Sequence, residues 1–183
     1  MPTSNEISTL ALAVLGIIVR EPCSAYDVRK IFKTTPMGHF SASPGAIYPA
    51  LKRLEDNGWV AGRVANADTL RPKRVYELTG KGREVLTARL SRKITADDVT
   101  RNLDDVMLRF VFMDKLLPHA QIVELLGQLR SEMKSHVASL EQLLHAVEDE
   151  LTVGERLSME HGIAKAKMDI EWADRAAAIF QKN

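Results

Sequence analysis

Residues 43–60, SPGAIYPALKRLEDNGWV, decide the fold of the N-terminal half of the chain. Apolar residues recur at Ile47, Leu51 and Leu54, which is the spacing of one face of an α-helix. The second proline of the stretch is tolerated only in about the first turn, so the regular helix begins near Ala46. The Asn-Gly pair near its end provides the stop. The stretch therefore predicts a short amphipathic helix.

Two more helices are predicted upstream of this stretch. Residues 7–19 are apolar on most sides of a helix, which is typical of a central, buried helix. Residues 24–27, Ser-Ala-Tyr-Asp, form a capping-box-like start for the second helix. The apolar positions of this second helix are Tyr26, Val28, Ile31 and Phe32.

Strand character follows downstream of the quoted stretch. Residues 59–65 and 73–78 are the predicted strands, and the second strand alternates, with Tyr76 and Leu78 on one face. The polar segment between the strands is too long for a tight hairpin turn. Thr79 then caps a closing helix. Three helices, a two-stranded wing and a closing helix are the order of elements in a winged helix-turn-helix domain.

The distribution of turn-forming residues divides the chain. Six of the 7 prolines lie at or before Pro72, and turn-rich sequence is concentrated in residues 22–82. Beyond this region the helical periodicity is almost uninterrupted, and no Gly/Ser-rich linker separates the halves. We therefore predict two domains, residues 1–90 and residues 91–183.

The second half is predicted to be entirely helical. Residues 98–117 hold an apolar cluster, and Pro118 then breaks the chain. Residues 119–150 carry apolar residues at spacings of three and four over four heptads, and a similar seam with small residues follows the turn at residues 152–154. Two long helices joined by a short turn form an antiparallel hairpin, so we expect a mainly α protein.

Net charge alone is misleading for this chain. Its 183 residues include 25 Lys+Arg and 24 Asp+Glu, a formal charge of +1 that argues against a nucleic-acid binder held by phosphate charge alone. Residues 1–90, however, contain 13 Lys+Arg and 8 Asp+Glu, which gives +5, whereas residues 91–183 contain 12 and 16, which gives −4. The positive excess lies on the predicted winged helix-turn-helix.

Two groups of cations stand out in the first half. Lys52 and Arg53 lie off the apolar face of the third helix, and Arg71, Lys73 and Arg74 cluster at the far end of the predicted wing loop. These are the two places at which a winged helix-turn-helix meets DNA, with its recognition helix in the major groove and its wing on the adjacent backbone. Either group alone is compatible with a solubilising surface, but together they favour DNA binding.

Three motifs occur together in the first half: residues 43–55 followed by Gly-Trp-Val at 58–60, residues 74–79 followed by Lys-Gly-Arg at 81–83, and residues 25–28. Their combination resembles the PadR family of transcriptional regulators. One departure is the alanine that opens the last motif, where glycine is common. The resemblance covers residues 10–90, and beyond them it is architectural, to members with a multi-helix C-terminal dimerisation domain. It implies a homodimeric winged-helix repressor or regulator that binds a pseudo-palindromic operator in double-stranded DNA.

Roles in DNA binding also follow from position and chemistry. Ser43 and the nearby helix N-terminus offer hydroxyl and N–H groups to phosphate, and Lys52 is the long cation that reaches phosphate. Tyr48 carries a polar tip off the buried face, with an aromatic brace against the second helix as the alternative. No Asn, Gln or Arg is among the first exposed helix positions, so we expect modest base readout with DNA shape contributing. The predicted DNA-binding residues are Ser43, Gly45, Tyr48, Pro49, Lys52, Arg53, Arg71, Lys73 and Arg74.

Two further sets of residues lie on the helical tail. The predicted homodimer interface comprises the seam residues Leu126, Leu129, Met133, Val137, Leu140, Leu144, Ile163, Ile170 and Phe180. The sequence leaves open how much of this seam is buried within one chain. Met107, Phe110, Met113 and Trp172 are large apolar residues that fit an effector pocket for a small aromatic ligand, which the resemblance implies for some family members. Ordinary core packing is the alternative for these four residues.

Other function classes have little support. The five histidines form no ligand-spaced pair, so we predict no metal, no cofactor and no enzymatic activity. Cys23 is the only cysteine, which fits a reducing compartment, and no apolar run reaches the roughly 20 residues that span a bilayer. We therefore expect a cytoplasmic protein without a membrane partner. The competing hypothesis is a winged-helix module for protein–protein assembly that does not bind DNA.

Overall fold

The computed structural model describes residues 7–35, 44–65 and 73–182, and the chain forms two compact units, residues 1–90 and 91–183. The elements of the first unit are α1 (Thr9–Ile18), β1 (Cys23–Ser24), α2 (Ala25–Thr34), α3 (Ile47–Asp56), β2 (Val60–Ala65), β3 (Lys73–Leu78) and α4 (Gly80–Leu90). Those of the second unit are α5 (Ala96–Arg101), α6 (Leu103–Met113), α7 (His119–Val147) and α8 (Val153–Lys182). The prediction of a mainly α protein is confirmed.

Helix α1 is the central helix of the first unit, as its sequence predicts. Every residue from Leu12 to Ile18 is buried, and α1 packs against α3, α4 and β3. Full burial of one leucine side chain stabilises a fold by about 1.5–3 kcal/mol. This helix therefore supplies much of the core on which α3 rests.

The start of α2 is the predicted capping box. The Ser24 hydroxyl accepts a hydrogen bond from the Asp27 N–H, and the Asp27 carboxylate accepts one from the Ser24 N–H. The prediction that Tyr26 belongs to the apolar face is wrong, since this residue is 67% exposed. At 3.6 residues per turn, Tyr26 lies about 200° around the helix from the buried Val28 and therefore points away from the core.

Helix α3 is the short amphipathic helix predicted within residues 43–60. A single 3-10 turn at Pro44–Ala46 precedes it, and the α-helix begins at Ile47. Pro49 is thus the third helical residue, where its missing N–H costs no internal hydrogen bond. The buried residues of α3 are Ile47, Ala50, Leu51 and Leu54.

The wing is a sheet of three strands instead of the predicted two. Strands β2 and β3 pair antiparallel from Val60↔Leu78 to Ala65↔Lys73, and β1 pairs antiparallel with the other edge of β3. The strand order is β1-β3-β2, so β3 is central. With only two residues, β1 is too short to show the alternating pattern by which strands are recognised in a sequence.

The second unit contains the predicted antiparallel hairpin. Ion pairs join Arg130 to Asp174 (2.9 Å) and Glu141 to Lys167 (2.7 Å), so positions further along α7 face positions earlier in α8. The apolar segment before Pro118 forms two helices, α5 and α6, instead of one continuous cluster. None of the helices in the described ranges is both long enough and apolar enough to cross a membrane.

Candidate nucleic-acid interface

The exposed side of α3 carries most of the predicted contacts. Tyr48 is 55% exposed, and Pro49, Lys52 and Arg53 are exposed beside it. The Lys52 ammonium lies 3.4 Å from the Asp56 carboxylate one turn later, yet its side chain is 78% exposed. Such an exposed i,i+4 pair is worth only about 0.3–0.5 kcal/mol, so it leaves the cation available to another anion.

Three predicted residues lie at the margins of this surface. Gly45 is exposed in the 3-10 turn that precedes α3, where the absence of a side chain leaves the backbone accessible. Ser43 and Arg71 lie outside the described residues. Their roles therefore stay predictions from the sequence.

Lys73 at the start of β3 is paired within the first unit. Its ammonium lies 2.7 Å from the Asp27 carboxylate at the start of α2. The hydrogen bond from Lys73 lowers the pKa of Asp27 to about 2, and the bonds from Ser24 act in the same direction. The pair thus ties the central wing strand to α2.

Arg74 is paired as well, but with α3. Its Nη2 donates to Glu55 Oε1 at 2.5 Å, and its guanidinium lies 5.8 Å from the centre of the Tyr76 ring. The hydrogen bond to Glu55 raises the pKa of Arg74. Both described wing cations of the prediction are therefore neutralised by carboxylates of the helix-turn-helix.

A groove of about 630 Å³ joins these elements. It is lined by Ser24, Ala25, Tyr26, Tyr48, Lys73, Arg74 and Tyr76. The residues come from the start of α2, the first turn of α3 and the strand β3, so the groove brings predicted residues of the third helix and of the wing together. Its tyrosine hydroxyls can donate to a phosphate, whereas Lys73 and Arg74 already contact Asp27 and Glu55.

Sequence reasoning missed four residues of this region. The sequence pattern places Tyr26 in the core and Tyr76 only in a strand, and it assigns helix capping alone to Asp27 and no role to Glu55. The capping box marks Asp27 as the N3 residue of α2, but it does not show that Lys73 of a distant strand lies beside it. The pairing of Glu55 with a residue 19 positions away had no local signal.

The predicted effector residues divide into two kinds of environment. The rings of Phe110 and Trp172 meet edge to face, with centroids 5.6 Å apart and an interplanar angle of 70°. Met107 is partly buried on the same helix as Phe110, whereas Met113 is buried almost completely, as a core residue would be. The aromatic pair is thus the part of this set that the structure brings together.

The residues of the predicted dimer interface fall into a buried group and a partly buried group. Leu126, Leu129, Met133, Val137 and Ile163 are at most 7% exposed within one chain. They occupy the interior of the second unit, in which α7 packs along α8, so they have little surface left to offer a second chain. The remaining members are only partly buried, namely Leu140, Leu144, Ile170 and Phe180. The packing of the hairpin therefore explains most of the buried seam.

Metal ligation and thiol chemistry have little support among the described residues. No group of three or more His, Cys, Asp or Glu side chains there is arranged to hold a metal ion. Cys23 is buried in β1, and burial raises the pKa of its thiol to about 11, so the thiolate is scarce at neutral pH. The chemistry of the first unit is accordingly that of its cations, hydroxyls and helix ends.

A central helix, a helix-turn-helix with an exposed third helix and a sheet that forms a wing define a winged helix-turn-helix protein. Residues 14–88 match the family model described as "Transcriptional regulator PadR-like family", and residues 104–181 match "Virulence activator alpha C-term". Residues 14–88 therefore carry a domain of the PadR-like family of transcriptional regulators.

Individual relatives are similar over almost the whole chain. A curated protein of Bacillus subtilis (strain 168), "Negative transcriptional regulator PadR", is 25% identical over 185 residues, which cover 95% of this chain and 98% of that protein. The crystal structure of Bacillus subtilis PadR in complex with operator DNA is 24% identical, covers 96% and 99% of the two chains and has a TM-score of 0.46. The structure of the same protein with p-coumaric acid is 23% identical, covers 95% and 99%, and has a TM-score of 0.44.

Proposed function

We propose that this chain binds double-stranded operator DNA as a homodimer and represses transcription. The observation that carries the proposal is the exposed side of α3, where Tyr48, Lys52 and Arg53 point away from the core beside a groove that Lys73 and Arg74 line. The match of residues 14–88 to a family of transcriptional regulators supports it, as does the name of the curated relative, a negative regulator. No catalytic step is part of this function, and the expected location is the cytoplasm.

The proposed binding mode places α3 in the major groove. In this mode Lys52 and Arg53 neutralise phosphates, Tyr48 reaches a phosphate or a base edge, and the wing lies along the adjacent backbone. Gly45 and Pro49 lie on the same exposed side and allow the DNA to approach closely. Ser43 and Arg71 keep the roles predicted for them.

The homodimer is proposed to form through the helical second unit. Because Leu126 and its buried neighbours are covered within one chain, the contact would use the partly buried seam residues, of which Leu140 and Phe180 are examples. A two-fold dimer reads two half-sites about one helical turn, or roughly 34 Å, apart. A small aromatic effector is proposed to insert beside the Phe110–Trp172 pair, and thermal-shift screening with phenolic acids and planar cations searches for it.

Lys52 is predicted to contact a phosphate in each half-site. The unmodified chain selects its preferred 30-bp duplex (about three helical turns) from a random library, and binding to this duplex and to a scrambled one is measured at several salt concentrations. Lys52→Ala should weaken both complexes and make the slope of log K against log salt shallower by about 2, because the homodimer loses one phosphate contact at each half-site and releases fewer counterions.

The matched control is Lys134→Ala, an exposed lysine on α7 in the second unit. This change removes the same charge from the chain and should leave the slope where it is. An unchanged slope for Lys52→Ala would remove Lys52 from the DNA contacts. Failure of the unmodified chain to enrich any duplex would overturn the proposed function.

One observation favours the competing function. The pairing of Lys73 with Asp27 and of Arg74 with Glu55 neutralises two of the cations on which the DNA hypothesis depends. A winged-helix module for protein assembly would have such a neutral wing. The same selection separates the two functions, since an assembly module enriches no duplex at any salt concentration.

A further inference from the structure

One carboxylate oxygen connects the third helix to both long strands of the wing. Glu55, in the last turn of α3, accepts a hydrogen bond at Oε1 from the Gly62 N–H of β2 at 3.0 Å. The same oxygen accepts from Arg74 Nη2 of β3 at 2.5 Å. A single side chain of the proposed recognition helix thus fixes two neighbouring strands, and we call Glu55, Gly62 and Arg74 the wing clasp.

Gly62 is the residue that the wing clasp requires. A Cβ atom at this position would lie 2.6 Å from Glu55 Oε1 and 2.6 Å from Arg74 Nε, which is closer than such atoms approach. Glycine inside a strand costs stability and often marks a close approach of another group. Here the approaching groups are the two charged side chains of the clasp.

Arg74 is held from more than one side. Its guanidinium bonds to Glu55 and also lies over the Tyr76 ring, while the preceding residue, Lys73, is tied to Asp27 of α2. Consecutive residues of the central wing strand are therefore anchored to the two helices of the helix-turn-helix. To contact a phosphate fully, Arg74 would have to leave a carboxylate that it already contacts.

The Glu55–Arg74 pair acts more through its geometry than through the attraction of its charges. Both side chains are partly exposed, so solvent screens their attraction and a simple ion pair would add little stability. Two hydrogen bonds converging on one oxygen from two strands, however, allow only a narrow range of wing orientations. Orientation matters because the recognition helix and the wing must meet the same duplex simultaneously.

We propose that Glu55 is a positioning residue, which sets the orientation of the wing relative to α3, and that Arg74 acts in DNA recognition through Glu55 instead of through a phosphate. The inference rests on the proposed DNA-binding function and deepens it. It makes the wing clasp a determinant of specificity, since misplaced wings still attract DNA but no longer fit the selected sequence.

The test uses variants that change the charge in opposite directions. Glu55→Gln removes a negative charge from the proposed DNA-binding side, and Arg74→Gln removes a positive one. Under the positioning role both variants reduce the preference for the selected duplex over the scrambled duplex by about tenfold, the size expected from one lost charge-assisted hydrogen bond. Both leave the salt slope unchanged, and the double variant is no worse than the poorer single variant.

A second route breaks the clasp without changing any charge. Gly62→Ala should reduce the same preference, because the added Cβ displaces Glu55 and Arg74. Ala61→Ser, one residue earlier and exposed in the same strand, is the matched control and should retain the preference. Circular dichroism verifies that each variant is folded, and Glu55→Gln and Arg74→Gln carry the test if Gly62→Ala is not.

The outcomes that overturn the proposal are specific. Tighter binding of Glu55→Gln to both duplexes would show that Glu55 only neutralises the surface. A salt slope that is shallower by about 2 in the Arg74→Gln homodimer would make Arg74 a direct phosphate contact in each half-site. If the unmodified chain selects a duplex and these results follow, the inference fails while the proposed function stands; if it selects none, both fail.

Discussion

At the scale of single residues, Gly82 shows how closely the wing is packed against the closing helix. A Cβ atom at this position would lie 1.9 Å from the carbonyl oxygen of Trp59, a backbone atom that cannot move aside alone. The Gly82 N–H donates to Thr79 Oγ1, and the Thr79 N–H donates to that same Trp59 oxygen. The first turn of α4 is thus locked onto the residue that precedes β2.

Gly82→Ala should therefore destabilise the protein by about 2 kcal/mol or more, since overpacking against fixed backbone forces a local shift. Chemical denaturation measures the effect as a lower transition midpoint. Gly80→Ala is the control, because a Cβ at Gly80, the first residue of the same helix, meets nothing within 4 Å. Equal midpoints for the two variants would contradict the packing argument.

At the scale of elements, the hairpin of α7 and α8 buries a carboxylate. Asp169 on α8 is only 9% exposed, and its Oδ2 is buried without a hydrogen-bond partner among the described residues. The neighbouring positions on this face, Ala166 and Ala173, are small and buried. Burial raises the pKa of Asp169, while the charge of Lys165 opposes the shift.

Asp169→Asn should stabilise the hairpin by about 1 kcal/mol at neutral pH, because it removes a buried charge that lacks a partner. A raised pKa in the folded state means that protonated Asp169 favours folding, a contribution that is present at low pH and lost as the pH rises through the folded pKa. The gain from the variant should accordingly shrink as the pH is lowered.

Thermal unfolding of both proteins across a pH series measures this gain. Asp174→Asn on the same helix is the control, since Asp174 is half-exposed and paired with Arg130, and its loss should give no stabilisation. A stability difference between Asp169→Asn and the parent chain that does not change with pH would show that ionisation of Asp169 is not its cause.

The elements also show what sequence periodicity can and cannot predict. The bounds of β3 and the start of α3 follow from local alternation and from proline sterics, so both were predictable. The strand β1 was missed because two residues carry no period, and the apolar segment before Pro118 was not resolved into α5 and α6. A heptad pattern predicts that a seam is buried, but it does not indicate whether the same chain or a second chain buries it. Leu129 and Met133 are buried within their own chain.

The candidate site was predictable in its residue types but less so in its pairing. Exposed positions such as Lys52 and Arg53 follow from the helical face opposite the core. The partners of Lys73 and Arg74 lie on α2 and α3, and such pairs depend on how the wing folds back onto these helices. The wing sequence alone does not predict which carboxylates Lys73 and Arg74 contact.

At the scale of the whole molecule, the charge is partitioned between the two units. Residues 1–90 carry +5 and residues 91–183 carry −4, so the net +1 describes neither unit. Within the first unit, the pairs with Asp27 and Glu55 reduce the effective charge of the wing further. Affinity for DNA should depend on the few cations that meet phosphates, whatever the total.

The double variant Glu148→Gln and Glu150→Gln tests whether local or total charge attracts DNA. It raises the net charge from +1 to +3. Both substitutions lie at the turn between α7 and α8, in the unit that we do not assign to DNA. The salt slope of DNA binding counts counterions released at phosphate contacts, so it should stay the same. Lys52→Ala, which lowers the net charge of each chain to 0, should instead make the slope of the homodimer shallower by about 2. Affinities of the three proteins measured from low to physiological salt distinguish local from total charge. A slope that rises with net charge would mean that the whole molecule, and not α3, attracts the duplex.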